Sequence, residues 1–317
     1  MRWYSMRPTR LVLVAFFAAL YLIWGSTYLG ILFAIQTIPP FLMAGSRYLT
    51  AGLVLYAIAR ARGAARPPRE TWRPAAITGA CLLLAGNGGV TFSEKFLDSG
   101  LAAVMVATVP IYIVLLSWGT GIAARPSAPV MLGLAGGFVG VGILMVPSLH
   151  FAADQTRQPG IGMIILLCSS FVWSAGSLYS RHAKSAESPF LAAGQQMICG
   201  GALLLLTGLV TRERMNWRDV STLSICSWIY LVLIGAIIGF SAYIYLLRHC
   251  DPAKVATYAY VNPIVAVVLG ALFAGETLSP RAIAAATLII GSVAIVITAQ
   301  QFGRKTPFSP PALAEAD

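Results

Sequence analysis

The sequence predicts an all-α polytopic membrane protein, with ten transmembrane helices arranged as two inverted five-helix repeats. Three observations carry that expectation. The 317 residues are 58% hydrophobic and only 10% Asp, Glu, Lys or Arg, whereas a soluble domain carries about 25% charged residues. Ten apolar runs each approach the roughly 20 residues needed to cross about 30 Å of hydrocarbon. The two halves of the chain also share short motifs in the same order. Together with a mean hydropathy of +0.78, these exclude a soluble domain, a disordered chain and a disulfide-built module. The formal net charge of +11 would suit nucleic acid only on a solvated surface. Here most of the surface must face lipid, so the expected partner is the bilayer, with no nucleic acid.

The runs lie at 11–33, 40–60, 74–93, 99–118, 128–147, 160–180, 189–210, 224–247, 252–274 and 279–301. The first follows Arg2, Arg7 and Arg10, as a signal peptide would. Leu11 to Phe33 nevertheless exceeds the roughly 7–15 apolar residues of a signal core, and cleavage would remove one span from a repeat. Each run is continuously apolar rather than alternating, which argues against an outer-membrane barrel. Lipid cannot satisfy an open backbone, so each run is helical. The fifth carries Gly133, Gly136, Gly137 and Gly140, overlapping G-x-x-x-G spacings that mean close helix packing. A partner within the chain and a second subunit fit them equally, so monomer and homodimer both stay open. The first repeat spans 11–147, the second 160–301, and 302–317 forms a C-terminal tail.

Fifteen of the 22 Lys and Arg residues fall on segments that share a side with the N-terminus, six fall on the other side, and Arg47 lies within a span. By the positive-inside rule both termini are expected in the cytoplasm. The cluster Arg212, Arg214 and Arg218 runs the other way, with no account in the sequence. Five cysteines scattered through apolar runs form neither a disulfide framework nor a metal-binding C-x-x-C.

Residues 40–45 read PFLMAG and 189–194 read PFLAAG, an offset of 149. Asp98 and Pro110 match Asp251 and Pro263 at 153, Trp72-Arg73 echoes Trp217-Arg218 at 145, and Trp24 to Tyr28 loosely echoes Trp173 to Tyr179. Drifting offsets are what connector insertions produce. Five spans per half invert the second copy, which places a pseudo-two-fold axis in the membrane plane. That design recurs in secondary transporters, with the substrate site near the midplane between the repeats.

Several side chains are candidates for that site. Pro110 and Pro263 fall mid-span in equivalent helices, each removing a backbone donor and freeing the carbonyls of Val106 and Ala259. Paired interruptions point to a binding site, and a packing kink explains them equally. Asn262 is placed to offer its amide to a ligand or to the freed backbone. An intramembrane charge such as Arg47 is a functional candidate by default. Its guanidinium suits a substrate carboxylate or phosphate, while outward snorkelling or pairing with Glu94 is the structural alternative. Glu94 suits a substrate amine or a coupling proton, or else pairs with Lys95 or Arg47. Gln195 and Gln196 stand where Ser46 and Arg47 stand in the other half. Trp24, Tyr28, Trp173, Tyr179, Tyr243, Tyr258 and Tyr260 form an aromatic set, some of them interface anchors. Trp24 and Trp173 are repeat-related and flanked by small residues, which suits a cavity wall, and aromatic faces also hold organic cations. There is no Walker A pattern, no H-E-x-x-H and no G-x-S-x-G. No enzyme activity, cofactor or metal is therefore expected.

The segments NGGVTFSEKFLDSGLAAVMVATVP (87–110) and TYAYVNPIVAVVLGALFAGETL (257–278), with Trp24-Gly25-Ser26 and Trp173-Ser174, resemble the EamA-type branch of the drug/metabolite transporter superfamily. The resemblance spans 11–301. It implies ten helices in two inverted repeats, a bacterial inner membrane, and export of small metabolites such as amino acids or drug-like compounds. Arg47 matches an Arg typical near the start of helix 2, and Glu94 matches one subgroup's S/A-E. One departure stands out. The first repeat reads GTGIAARPS where the second reads AGETLSP, leaving Glu276 without an equivalent. The expected protein is an alternating-access exporter, with a passive facilitator or channel for the same solutes as the alternative. Its site would be lined by Trp24, Tyr28, Trp173, Tyr258 and Asn262, with Arg47 and Glu94 towards the outside.

Overall fold

The computed structural model describes residues 9–150, 159–250, 255, 257–277 and 279–303. Arg2, Arg7, Arg157, Asp251, Lys254, Arg304, Lys305 and the tail beyond Gly303 lie outside the described residues, as do the side chains of Arg248 and Tyr260. Among the described residues the chain is helical, with no strand. Its spans are α1 (Arg10–Ala34), α2 (Pro40–Ala61), α3 (Arg69–Ser93), α4 (Ser99–Gly119), α5 (Ala128–His150), α6 (Pro159–His182) and α7 (Pro189–Val210). Then come α8 (Thr222–Tyr243, prolonged by Gly239–His249), α9 (Tyr258–Phe273) and α10 (Pro280–Gly303). Among the described residues eight helices are long and apolar enough to cross a membrane, and Ala128–Ile143 and Val261–Phe273 are shorter apolar helices. Proline opens α2 and α7, where its missing N–H is harmless. Ser221 caps α8 by accepting from the Ser224 N–H at 3.1 Å.

The order of contacts makes the duplication visible. α2 packs on α7, α4 on α9 and α5 on α10, so each of these helices meets its own repeat-mate. The remaining helices cross over: α1 lies against α8 and α9, and α6 against α3 and α4. That is the pattern of a two-fold axis between the repeats. The mates run antiparallel. Along α2 and α7, Gly45 meets Leu205, Leu49 meets Gly201, and Gly52 meets Ile198, one number falling as the other rises. Along α5 and α10, Gly133 meets Val296, Gly136 meets Ser292 and Gly140 meets Ile289. The glycine stripe of the fifth run thus has its partner within the chain.

The bundle is apolar on both sides of its surface, as a membrane protein must be. Leu132, Leu209 and Leu272 are each about 70% exposed to the surroundings, whereas Ala44, Ala51 and Ala193 fill the α2–α7 seam. Between helices in lipid the driving force is close packing rather than water exclusion, and small residues permit it. A Cβ on Gly201 would stand 2.5 Å from the Leu49 backbone nitrogen, so the backbones themselves would have to part. With ten crossings both described chain ends share one face, called here the terminal face. The opposite face, called the far face, carries the α1–α2, α3–α4, α7–α8 and α9–α10 connectors.

Gly201→Leu is therefore expected to lower stability by about 1–3 kcal/mol through overpacking, read as a lower unfolding midpoint in detergent. Gly291→Ala, at an exposed helix position with nothing within 4 Å of the added carbon, is expected to leave that midpoint unchanged or slightly raised.

Candidate functional site

The two repeat-related tryptophans occupy equivalent places. Trp24 of α1 lies on Gly239 of α8, where an added Cβ would meet the indole nitrogen at 2.7 Å. Trp173 of α6 lies against Gly86 of α3, where its ring leaves no room for a Cβ. Gly86 and Gly239 are themselves 153 residues apart, one of the offsets already seen in the sequence. Each glycine adjoins or falls within a widened, π-type stretch in the third helix of its repeat, Ala80–Asn87 in α3 and Leu231–Ile238 in α8. Such stretches interrupt the regular ladder and recur at functional sites. Each repeat thus seats its first-helix tryptophan on the irregular third helix of the other.

Around Trp24 the aromatic set closes into a group. Its ring meets Tyr258 edge-on with centroids 4.9 Å apart and Tyr243 at 5.2 Å. Trp173 stands apart from this group, on the other side of the axis, and Tyr179 is 39% exposed.

Arg47 and Glu94 are each only 4% exposed. The Arg47 Nε and Nη1 atoms and both Glu94 carboxylate oxygens have no hydrogen-bond partner. The two side chains make no salt bridge with one another, the described residues containing one such pair, Lys184–Glu70 on the surface at 2.9 Å. The guanidinium carbon of Arg47 lies 4.7 Å from the centre of the Tyr48 ring, and its Nη2 faces Gly235 in the π-type stretch of α8. Gly235 also touches Thr27, one residue before Tyr28. Tyr28 in turn lies within electrostatic reach of Glu94 and Tyr48, and Tyr258 of Tyr28. Arg47, Glu94, Tyr28, Tyr258 and Trp24 thus belong to one continuous region bounded by α1, α2, α8 and α9. Arg47 and Glu94 are buried in it, and Trp24, Tyr28 and Tyr258 are half-buried. A cavity of about 290 Å³ lies nearby between α1 and α8, lined by Ser26, Leu29, Phe33 and Tyr230 among others, and none of the candidate residues lines it.

Other candidates find structural partners. With its amide turned to suit its surroundings, Asn262 donates to the carbonyls of Tyr258 at 3.2 Å and Tyr21 at 3.3 Å, tying α9 to α1. Gln195 donates to the Thr71 hydroxyl at 3.0 Å, and Ser46 accepts from the Trp228 indole at 3.0 Å. These polar positions therefore hydrogen-bond between helices, in mirrored places. Near Pro110, α4 divides into Ser99–Val106 and Val109–Gly119, and the Ser174 hydroxyl of α6 donates to the Val109 carbonyl at 3.2 Å. α9 runs continuously through Pro263. Among the described residues no group of three His, Cys, Asp or Glu side chains could hold a metal. Residues the sequence did not single out for the site are Tyr48, which takes the guanidinium on its ring, and Gly86, Gly235 and Gly239. Gly86 and Gly239 were legible only as one more matched pair at 153.

Known proteins resemble the chain along nearly its whole length. The EamA-like transporter family model matches residues 11–146 and 160–298. The "Uncharacterized inner membrane transporter YedA" of Escherichia coli (strain K12) is 36% identical over 299 residues, covering 94% of each chain. The "Probable amino-acid metabolite efflux pump" of Salmonella typhimurium is 24% identical over 294 residues, covering 86% of this chain and 90% of that one. One solved crystal structure shares the fold at a TM-score of 0.61 with 19% identity, over 93% of this chain and 100% of the other.

Breaking a mutually satisfied buried ion pair costs about 3–5 kcal/mol, whereas neutralising a charge with no partner relieves a cost. Arg47→Met and Glu94→Gln are accordingly expected to keep or raise the unfolding midpoint in detergent. A drop of the size expected for a broken pair would show that the two hold one another.

Proposed function

The chain belongs to the EamA-like transporter family, and on that footing we propose an inner-membrane secondary transporter that exports a small organic metabolite by alternating access between its repeats. The metabolite is an amino acid or a drug-like compound. One observation carries the reading: Arg47 and Glu94 are both buried, and the guanidinium Nε and Nη1 and both carboxylate oxygens have no hydrogen-bonding partner. An uncompensated charge in a membrane interior is expensive and marks a substrate or ion path. A solute with its own polar groups completes the set. Arg47 offers a planar fork to a carboxylate or phosphate. Glu94 accepts from an amine or takes up a coupling proton, and Tyr28, Tyr258 and Trp24 wall the apolar part. Trp173 holds the equivalent place across the axis, where the solute would pass in the other half of the cycle.

The inverted symmetry supports the transport cycle. The two repeats meet through mated antiparallel helices, so rocking one against the other exposes the same level to either face. The π-type stretches at the two tryptophan seats are irregularities of the kind that recurs at functional sites. The names of the relatives support the membrane and the direction, the Escherichia coli protein being called an inner membrane transporter and the Salmonella protein an efflux pump. The excess of Lys and Arg supports a cytoplasmic terminal face.

Flux into or out of proteoliposomes tests the reading, once a screen of toxic metabolite analogues against overproducing cells has found a solute. Trp24→Ala and Trp173→Ala are each expected to cut flux at least about tenfold while the protein stays folded in the membrane. Undiminished flux in both removes the wall assignment. Collapse of the pH gradient is expected to abolish accumulation by the parent. Glu94→Gln is expected to be insensitive to the gradient, and a parent equally insensitive would be a passive facilitator.

A further inference from the structure

Two carboxylates of the second repeat reach across to the first at the far face. Glu213, in the α7–α8 connector, accepts from the backbone N–H groups of Phe41 at 3.2 Å and Leu42 at 2.9 Å. Glu276, in the α9–α10 connector, accepts from those of Ser99 at 2.7 Å and Gly100 at 3.0 Å. Each carboxylate therefore caps the first turn of a helix in the other repeat, α2 in one case and α4 in the other. A helix start leaves its first N–H groups unsatisfied and carries partial positive charge, and hydrogen bonds to a charged acceptor are the stronger kind. Four such bonds stitch the repeats at this face.

The terminal face has the same turns without the acids. The Glu213 N–H closes on the Gly208 carbonyl at 2.8 Å, just after Arg212 at a φ of 58°. In the first repeat the Ala64 N–H closes on the Ala59 carbonyl at 3.1 Å, just after Gly63 at a φ of 84°. The Glu276 N–H closes on the Gly270 carbonyl at 3.1 Å, and in the first repeat the Ala123 N–H closes on the Ser117 carbonyl at 2.9 Å. Ala64 and Ala123 are thus the structural equivalents of Glu213 and Glu276. Ala64 packs on the cluster that holds Leu191 at the start of α7, the mate of Leu42, and the α7 N-cap Ser188 makes no side-chain cap hydrogen bond. Connectors 62–68 and 120–127 contain no carboxylate at all.

We propose that Glu213 and Glu276 form a two-point latch that holds the far face closed, so that the protein rests ready to open at its terminal face. The inference rests on the alternating-access reading and adds to it a resting direction. Opening the far face breaks both caps, whereas opening the terminal face breaks neither and parts instead the exposed Glu70–Lys184 pair and the Gln195–Thr71 hydrogen bond. For an exporter with a cytoplasmic terminal face, the empty protein then waits on the side where the solute is loaded. The latch also accounts for part of the basic far-face loop: Glu213 is turned in to α2, so Arg212 and Arg214 on either side of it point out, all three fixed by one turn.

Spin-label distances in lipid nanodiscs, without any substrate, test this directly. Labels are placed at Gln36 and Thr277 for the far face and at Arg62 and Ser185 for the terminal face, all exposed, in a background with the five cysteines replaced. With both glutamates present, the far-face pair is expected to hold one short distance. In Glu213→Ala with Glu276→Ala, the ratio of long to short far-face distances is expected to rise at least about tenfold, the loss of one charged hydrogen bond or more. Glu213→Gln with Glu276→Gln, which keeps one acceptor oxygen at each position, is expected to fall between. Ala64→Glu with Ala123→Glu leaves the native latch intact and adds acids at the equivalent turns, and it is expected to narrow the terminal-face distribution. An unchanged far-face distribution in the first variant, or in the Gln variant should the first not fold, overturns the latch, as does an unchanged terminal face in the third. A response in the distances together with an absence of flux for every solute would leave the latch standing and remove the transport reading instead.

Discussion

In a bilayer no hydrophobic force draws one apolar helix to another, so the fold depends on how closely helix backbones can approach. The α2–α7 seam is where this constraint is most severe. Gly45, Gly52 and Gly201 bring the two helices to backbone contact along their length, and because these helices are repeat-mates the seam lies on the pseudo-two-fold axis. The α5–α10 seam repeats the solution at the edge of the bundle with Gly133, Gly136 and Gly140. Between the two seams, α1 and α6 each lean on the irregular third helix of the other repeat. Such an arrangement buries Arg47 and Glu94 of the first repeat, with the guanidinium facing Gly235 of the second.

The charges follow from that arrangement. Polar side chains within the seams find partners: Ser46 with Trp228, Gln195 with Thr71, and Asn262 with two backbone carbonyls. Arg47 and Glu94 lie at the same depth of burial without them. Among the described residues the buried hydroxyls of Ser99 and Ser170 are unsatisfied as well, but Arg47 and Glu94 are the ones that carry charge, which suits them to the polar groups of the proposed solute. The far face shows the opposite treatment, two carboxylates each saturated by two backbone donors. Under the transport reading Arg47 and Glu94, which lie towards the far face, are available to a solute, while Glu213 and Glu276 are committed to holding the repeats together. The symmetry of the backbone is nearly complete, and it is in the charges that it breaks.

Much of this was legible in the sequence. Long apolar runs have no competing reading in lipid, so the spans and their boundaries followed closely, with α3 beginning at Arg69 and α8 running on to His249. The duplication was legible because PFLMAG and PFLAAG both begin helices at the axis, where close packing tolerates little change. Less visible were features that exist only once two helices meet. The G-x-x-x-G stripe could not name α10 as its partner, and nothing in ACLLLAGN or LVLIGAII marks a π-type turn. Glu276 was noticed for lacking an equivalent. Glu213 was hidden in a cluster read for its arginines, because the turn that points it inward is set by backbone geometry rather than by residue type.

The central claim is that the level of Arg47 and Glu94 is reached alternately from the two faces. Thr27 lies at that level, against Gly235 beside the guanidinium, and a single cysteine placed there in an otherwise cysteine-free protein reports access directly. A membrane-impermeant thiol reagent is applied to oriented vesicles from one side or the other. The account predicts labelling from both faces, faster from the terminal face and suppressed by a transported solute. Labelling from one face alone would contradict alternating access, and labelling from neither would show the level to be part of a permanently closed core.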